Sequence, residues 1–358
     1  MKDEIKLILL SVVSDKTEEE KLKIDELYSH KLDWAWIFGE LIRHRLNGYF
    51  LTQLTAEQKK AIYYKALQSF EILSNYYFNY NNEILSYIEK LFIKFEQHDI
   101  IFAGLKGVIF NSSIYNLFVR KSNDIDILVC ESDLKKIDAL LREEGFIQSL
   151  DGGKTEASKR DKLIQIMNYH DLVPYYKYVG DYNLKLDINF QFEGKNDEIT
   201  KDILSFGTEI YTGNGYKIRG LNRYTHLCHL AVHFYRETTN TLWTDTHRDL
   251  EIYKLVDIEN TIRTYSIDDL NKWIDTASKF KLEKQCYFML HYLNKFYPNE
   301  RYCRLMERIT PENDNYLNEI TIGTTDKKKD RVTDFLTDCF NMKYKVVVAN
   351  GTVYKDFS

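Results

Sequence analysis

The stretch that most constrains the fold of this chain is residues 124–129, which read Asp-Ile-Asp-Ile-Leu-Val. The apolar run predicts a buried strand, yet it begins with two acids. Because alternate residues of a strand share a face, Asp124 and Asp126 should point one way and Ile125, Ile127 and Val129 the other. Neighbouring carboxylates repel each other and lose hydration, so a divalent cation between them would make the pair tolerable.

A third acid, Asp187, lies in a second strand-like run at residues 184–190, Leu-Lys-Leu-Asp-Ile-Asn-Phe. Three carboxylates on neighbouring strands are what two magnesium ions need for phosphoryl or nucleotidyl transfer. In the alternative interpretation, Asp124 caps a turn, Asp126 forms an ion pair and Asp187 is incidental. The residues that precede the acidic pair favour the metal site.

Those residues include a Lys106-Gly107 turn between a predicted strand at 100–103 and a predicted helix at 108–117. Backbone N–H groups at a helix start favour phosphate. Gly107 would let a phosphate approach the backbone, and a solvent-facing Lys106 would neutralise its charge. Arg120 either forks onto phosphate oxygens or braces the acidic pair, and the sequence favours neither.

The pattern along the rest of the chain predicts an α+β fold, with a small mixed β-sheet core, a helical N-terminal arm and a helical C-terminal region. Residues 56–98 contain neither Gly nor Pro, and apolar residues recur there at helical spacing. We expect hairpins around Gly180-Asp181 and Asn350-Gly351. The predicted parts are 1–98 (helical), 99–220 (the core) and 221–358 (helical, with the terminal hairpin).

Charge and composition exclude several classes of protein. The net charge of −5 disfavours dedicated binding of duplex nucleic acid. No apolar run reaches membrane-spanning length and no signal-peptide pattern opens the chain, so we expect a cytoplasmic protein with no membrane partner. The five cysteines show no metal spacing and are expected to be reduced and mostly buried.

His226, His229 and His233 fall on one face of a predicted helix. This spacing invites a metal interpretation, but three histidines on one straight helix cannot easily converge on one ion. Packing in the core with satisfied hydrogen bonds is the favoured interpretation, and contact with a nucleotide is the alternative.

These residues together resemble a bacterial family of uncharacterised nucleotidyltransferases in the DNA polymerase beta-like superfamily. The family pattern has Leu-Lys-Gly, a helix, and an arginine just ahead of a Ser-Asp-x-Asp strand. The corresponding positions here are Leu105-Lys106-Gly107, Arg120 and Asn123-Asp124-Ile125-Asp126. The third-acid strand of the family usually reads acid-hydrophobic-His-Trp, where this chain has Asp187-Ile188-Asn189-Phe190. The resemblance covers roughly residues 30–255, including Asp33-Trp34 and a helical histidine region before Asp249-Leu250.

The resemblance implies a metal-dependent nucleotidyltransferase that moves a nucleoside monophosphate to an acceptor hydroxyl and releases pyrophosphate. Asp124, Asp126 and Asp187 would hold two Mg²⁺ ions, and Asp187 would also help to deprotonate the acceptor. ATP is the default donor by cellular abundance, and the acceptor is a small molecule or a protein. The nucleotide would contact a further set of residues: Leu105, Lys106, Gly107, Arg120, Asn123 and Asn189.

Two alternatives remain open from the sequence. The same fold could modify a partner protein, as an adenylylating toxin or antitoxin does. It could also be a nucleotide-binding protein without catalysis, which the intact set of three acids argues against.

Overall fold

The computed structural model describes residues 1–194 and 198–341 in full, and the backbone of residues 346–349 and 352–355. The chain forms two compact units, one of residues 72–229 and one that combines residues 1–71 with 230–358. The three-part division expected from the sequence stays a prediction.

Eleven strands occur in the described residues: β1 (Phe102–Gly104), β2 (Ile125–Val129), β3 (Ile147–Gln148), β4 (Tyr175–Val179), β5 (Tyr182–Asn189), β6 (Thr208–Gly213), β7 (Tyr216–Leu221), β8 (Glu319–Thr321), β9 (Lys328–Asp330), β10 (Val346–Ala349) and β11 (Thr352–Lys355).

The α-helices of residues 1–168 are α1 (Asp3–Ser11), α2 (Glu18–Tyr28), α3 (Trp34–Arg43), α4 (Asn47–Gln53), α5 (Ala56–Lys60), α6 (Tyr64–Gln97), α7 (Gly107–Ile109), α8 (Leu134–Glu143) and α9 (Lys159–Asn168). Those of residues 200–339 are α10 (Thr200–Phe206), α11 (Arg223–Thr238), α12 (Thr241–Thr244), α13 (Tyr253–Arg263), α14 (Ile267–Lys279), α15 (Glu283–Phe296), α16 (Glu300–Glu307) and α17 (Phe335–Cys339).

A mixed seven-stranded sheet in the order β3-β4-β5-β2-β1-β7-β6 forms the centre of the unit at 72–229. The pairs β2–β5 and β1–β7 are parallel, and the other neighbours are antiparallel. With helical segments before and after this sheet, the predicted α+β class is confirmed.

One face of the sheet is covered by α6 and α8. The apolar residues that recur along α6 are all buried in this core: Ile84, Ile88, Leu91 and Phe95. Ile125, Ile127 and Val129 of β2 lie in the same core, as their alternation predicted. Asp126 therefore extends toward the opposite face.

The hairpin predicted around Gly180-Asp181 is confirmed, since β4 and β5 pair from Val179 and Tyr182 outward. The helix predicted at 108–117 is shorter: α7 continues into a π-helical turn at Phe110–Ile114. Strands β10 and β11 pair as predicted, but the turn residues Asn350 and Gly351 lie outside the described residues.

The hairpin formed by β6 and β7 was absent from the sequence-based prediction. Its turn is Asn214-Gly215, with φ of 52° and 86°. Two central residues with positive φ are typical of the tight turn that fits the twist of a hairpin, and Asn-Gly is its commonest sequence. The signal was therefore present, although the flanking strands are largely polar and half-exposed.

The unit formed by residues 1–71 and 230–358 is mainly helical. Arg263 of α13 joins its two chain segments by binding Glu20 at 2.5 Å and Glu259 at 2.7 Å. A buried hydrogen bond of 2.6 Å from Tyr49 to Asp257 adds a second link between them. In the described part of the chain, no helix is both long enough and apolar enough to cross a membrane.

Candidate active site

The parallel pairing of β2 and β5 positions the two inner acids of the site. In this register Asp126 lies directly beside Asp187. Neighbouring residues in paired strands share a face of the sheet, so the two carboxylates extend from the same side. The pairing therefore brings together two of the three acids predicted from the sequence, although 61 positions separate them in the chain.

Asp124 immediately precedes β2, and its side chain is 41% exposed. Lys185 of β5 links Asp124 to Asp187, because its ammonium contacts both carboxylates. The ammonium of Lys185 lies 2.6 Å from Asp187 Oδ2 and 3.6 Å from Asp124 Oδ2. One lysine thus contacts two of the three predicted ligands.

The second cation at the site is Lys106, whose ammonium lies 3.1 Å from Asp126 Oδ1. Its side chain is only 19% exposed, so the prediction of a solvent-facing lysine is wrong. The reason is the sheet itself: β1 pairs with β2 and delivers the turn after β1 next to Asp126. The buried carboxylate then attracts the nearest ammonium.

Burial dominates the electrostatics of the two inner acids. It raises the pKa of Asp126 above its usual range, against the opposing effect of Lys106. It also raises the pKa of Asp187 to about 7, an effect that Lys185 opposes and the other two acids reinforce. Burial alone would lower the pKa of Lys185, but the carboxylates of Asp187 and Asp124 outweigh it and raise that pKa.

Among the residues that the structure describes, one carboxylate oxygen of Asp187 finds no hydrogen-bond partner. Asp187 is 8% exposed, and its Oδ1 is buried without a donor, whereas Oδ2 accepts from Lys185. An unpaired buried oxygen of this kind is costly unless another ligand satisfies it. The donor set of carboxylate oxygens suits a hard divalent cation such as Mg²⁺.

The turn after β1 has a strained backbone at Lys106, with φ of 45° and ψ of −114°. Non-glycine residues rarely adopt positive φ, and such strain clusters at functional sites. Leu105, just before it, is buried, and its N–H donates to the carbonyl of Asp126 at 3.0 Å. The turn is thereby fixed against the strand that carries the acid.

Gly107 is required here by close packing. A Cβ at this position would meet Ser122 Oγ at 1.9 Å and an Arg120 terminal nitrogen at 2.9 Å. The sequence interpretation gave this space to a phosphate, but protein atoms approach it in the structure. Contact between phosphate and this turn stays a prediction.

Arg120 is buried and lies beside the same turn. One terminal nitrogen donates to Ser122 Oγ at 3.1 Å, and the guanidinium lies 5.3 Å from the centre of the Phe110 ring. Asn81 of α6 donates to the carbonyls of Leu117 and Arg120 at 2.8 and 2.7 Å. These contacts hold the segment that leads into the acidic strand.

The other two residues predicted to contact the nucleotide, Asn123 and Asn189, differ in solvent exposure. Asn123 is exposed, next to Asp124. Asn189 is 8% exposed, and its side-chain amide donates over long distances, to the carbonyls of Ile127 at 3.5 Å and Asp187 at 3.4 Å. Its position two residues after Asp187 keeps it on the same face of β5.

Sequence reasoning missed Lys185, Ser122 and Asn81. Lys185 was detectable, because it lies two residues before Asp187 and so shares its face of the strand. Asn81 gave no local signal, since the carbonyls it contacts follow 36 and 39 positions later. Ser122 contacts nearby Arg120, but its position beside Gly107 joins residues 15 positions apart.

The three histidines of α11 do not form a metal site. His226 and His229 are buried, while His233 lies 3.3 Å from Glu237. The His226 ring packs beside the rings of Phe110 and Tyr211, as the core interpretation expected. The expected satisfaction of its hydrogen bonds is wrong, because within the described residues its buried Nε2 has no partner. Within the described residues, no group of three or more His, Cys, Asp or Glu side chains is arranged to hold a metal ion.

The absence of such an arrangement applies also to the acids on and beside β2 and β5, because the ammonium groups of Lys106 and Lys185 lie among these carboxylates.

Of the cysteines, four are buried and Cys303 is exposed. A cavity of about 620 Å³ lies in the helical unit, where Arg263, Tyr297 and Arg301 are among its lining residues. None of the predicted site residues lines it.

Comparison with known families decides the class of the protein. The sequence model of a family described as uncharacterised nucleotidyltransferase matches residues 30–298. This chain belongs to that family. Nucleotidyltransferases transfer a phosphorus-containing group from a nucleotide substrate, so the chain is an enzyme of that general class. No curated protein matches the sequence.

The matched span of this nucleotidyltransferase runs beyond the sheet on both sides. It includes α3 on one side and ends shortly after α15 on the other. The acidic pair, the turn at Lys106-Gly107 and the third acid all lie within it. The predicted membership of a nucleotidyltransferase family is therefore confirmed.

Proposed function

We propose that this nucleotidyltransferase is metal-dependent and transfers a nucleoside monophosphate, with ATP as the default donor, to an acceptor hydroxyl. Pyrophosphate is the second product. The observation that carries the proposal is the pairing of Asp126 with Asp187 across β2 and β5, with Asp187 Oδ1 unpartnered. The neighbouring lysines are suited to a substrate that bears several negative charges.

Asp124, Asp126 and Asp187 are the residues that would hold Mg²⁺, two ions in the full proposal. When bound, such ions neutralise the triphosphate and stabilise the charge that develops during in-line displacement. Asp187, the third acid, would also accept the proton of the attacking hydroxyl. Nucleophilic attack forms the new bond to the α-phosphorus while the bond to the bridging oxygen of pyrophosphate breaks.

The turn after β1 would bind the phosphates. Lys106 supplies an ammonium for phosphate oxygens, and Leu105 and Gly107 set the backbone of that turn. Arg120, which donates to Ser122 beside Gly107, would brace the segment before the acidic strand or bind phosphate oxygens. Asn123 and Asn189 would hydrogen-bond the nucleotide or the acceptor from either side of the acids.

The test is incubation of the purified protein with each α-labelled nucleoside triphosphate, Mg²⁺ and cell extract, followed by identification of what becomes labelled. The matched inactive variant is Asp126→Asn, which removes one charge and keeps the shape of the side chain. We expect wild-type labelling from at least one triphosphate and a loss of about a hundredfold or more in the variant.

The matched control is Asp202→Asn, since Asp202 is exposed on α10, outside the strands β2 and β5. Its labelling should equal that of the wild type. Equal labelling by Asp126→Asn and the wild type would refute the assignment of the acids. The identity of the labelled molecule, small or protein, settles the class of acceptor.

A further inference from the structure

The starting point is the position of the two ammonium groups among the acids. Lys185 Nζ lies between Asp187 Oδ2 at 2.6 Å and Asp124 Oδ2 at 3.6 Å. Lys106 Nζ lies 3.1 Å from Asp126 Oδ1. These are the carboxylates that the proposed function assigns to divalent cations, so lysines and metal ions require the same oxygens.

The lysines compensate charge that the sheet has buried. If all three carboxylates ionise, they carry −3, and the two ammonium groups return +2. Without that compensation, Asp126 and Asp187 would face each other across paired strands with little solvent. Buried like charges without a partner are strongly destabilising, so these carboxylates need compensating positive charge when no metal ion is bound.

Lys185 is suited to leave its partners. Its side chain is 29% exposed, compared with 12% for that of Asp187. A lysine has a flexible four-carbon stem and a strongly hydrated head, so its ammonium can move to water while the stem stays packed. The carboxylate, fixed within β5 next to β2, stays in place.

We propose that Lys185 is a place-holding cation: it neutralises Asp124 and Asp187 in the metal-free protein and competes with the divalent cation for them. The inference rests on the proposed function and adds to it a residue that sets metal affinity. Binding of the metal releases the ammonium from both carboxylates. The affinity of the site for metal alone is therefore lower than that of the same acids without the lysine.

The experiment measures binding of Mn²⁺ to the full chain by electron paramagnetic resonance, with no nucleotide present. The variants are Lys185→Met and Lys185→Gln, which remove the charge with an apolar and a polar side chain. The matched control is Lys217→Met, since Lys217 is exposed on β7 of the same sheet and its loss changes the net charge equally. Thermal unfolding is recorded for each protein in EDTA and in Mn²⁺.

We expect both Lys185 variants to bind Mn²⁺ about tenfold more tightly than the wild type, because a unit positive charge a few ångström from the ion is removed. Their unfolding temperatures should fall in EDTA and rise with Mn²⁺ by more than that of the wild type. Lys217→Met should match the wild type in both measurements. Should one Lys185 variant fail to fold, the other provides the affinity.

Unchanged or weaker Mn²⁺ affinity in the Lys185 variants, with clear binding by the wild type, would overturn the place-holding role and leave the proposed function intact. A wild-type protein that binds no Mn²⁺, even with a non-hydrolysable ATP analogue, would instead overturn the proposed function and this inference with it. The two failures are thereby distinguished.

Discussion

At the scale of single residues, the tightest steric constraint beside the acids falls on Gly107. We predict that Gly107→Ala destabilises the protein by about 1–3 kcal/mol, because its Cβ would meet Ser122 Oγ at 1.9 Å. Urea unfolding measures the change. The control is Gly39→Ala in the interior of α3, where a Cβ meets nothing within 4 Å.

Gly39→Ala should leave stability unchanged or raise it by up to about 1 kcal/mol, since alanine is the better helix former. If Gly107→Ala behaved like Gly39→Ala, the close packing of Ser122 and Arg120 against the turn would be wrong. The comparison separates a steric requirement for glycine from a general effect of adding a methyl group.

His226 gives a prediction about pH. Burial lowers its pKa to about 4, and no described residue forms a hydrogen bond with its Nε2. The unfolded chain, with a histidine pKa near 6.5, therefore binds more protons than the folded protein between these two values. Stability contributed by neutral His226 is present above about pH 6.5 and is lost as pH falls toward 4.

The matched variant is His226→Leu, which has no group to titrate. We expect the free energy of unfolding of the wild type, relative to this variant, to fall by up to about 3 kcal/mol between pH 6.5 and 4. Urea unfolding at several pH values measures it. A difference that stays constant with pH would show that His226 titrates normally in the folded protein.

At the scale of elements, the β6–β7 hairpin supports the segment that follows the turn at Lys106. Asn214, at the hairpin tip, donates to the carbonyls of Asn111 at 2.9 Å and Tyr115 at 2.8 Å. These carbonyls lie in and just after the π-helical turn Phe110–Ile114. The hairpin thus satisfies backbone groups that a regular helix would have paired.

We predict that Asn214→Ala costs about 1–3 kcal/mol, because two backbone acceptors lose their donor. Hydrogen exchange should speed up across residues 107–115. The control is Asn183→Ala, which removes one exposed hydrogen bond to the carbonyl of Gly152. Equal exchange rates at 107–115 in both variants would contradict the supporting role of the hairpin.

Helices and strands were predicted correctly from the sequence where the apolar residues follow a single period, either that of a helix or that of a strand. The apolar residues of α6 and the alternating residues of β2 follow the helical and strand periods closely, and both are buried as predicted. The β6–β7 pair was missed although Asn214-Gly215 marks its turn. Its strands are half-exposed, so polar residues on both faces hide the alternation that identifies a strand.

At the scale of the whole molecule, Arg263 joins chain segments that are about 240 residues apart in the helical unit. It binds Glu20 and Glu259, and it donates to the carbonyls of Ser14 and Asp15. Its side chain is 11% exposed and that of Glu259 is 1% exposed. Removal of this cation would leave a buried carboxylate without its main partner.

We predict that Arg263→Met lowers the free energy of unfolding by about 3–5 kcal/mol. Urea unfolding is again the measurement. In the control, Arg304→Met, the lost partner is Glu300 in an exposed pair on α16, and a change of at most about 0.5 kcal/mol is expected. Similar small effects of both variants would mean that Arg263 does not hold the two segments together.

The sequence by itself determined which residues are candidates for the chemistry and which faces of α6 and β2 are buried. Alternation within residues 124–129 separated the acids from the core residues, and the motif with Asp187 pointed to a nucleotidyltransferase. The alternation depends on residues close together in the chain, where the period of a strand or helix fixes the face to which each side chain points.

Only the tertiary structure decided how distant residues meet. The parallel register that places Asp126 beside Asp187 depends on a crossover through α8, β3, α9 and β4, which no local pattern specifies. The same pairing brings Lys106 and Lys185 to the acids, and packing of the 117–122 segment brings Ser122 against Gly107. Such contacts are set by the sheet as a whole, because each requires strands from separate parts of the chain to be in place together.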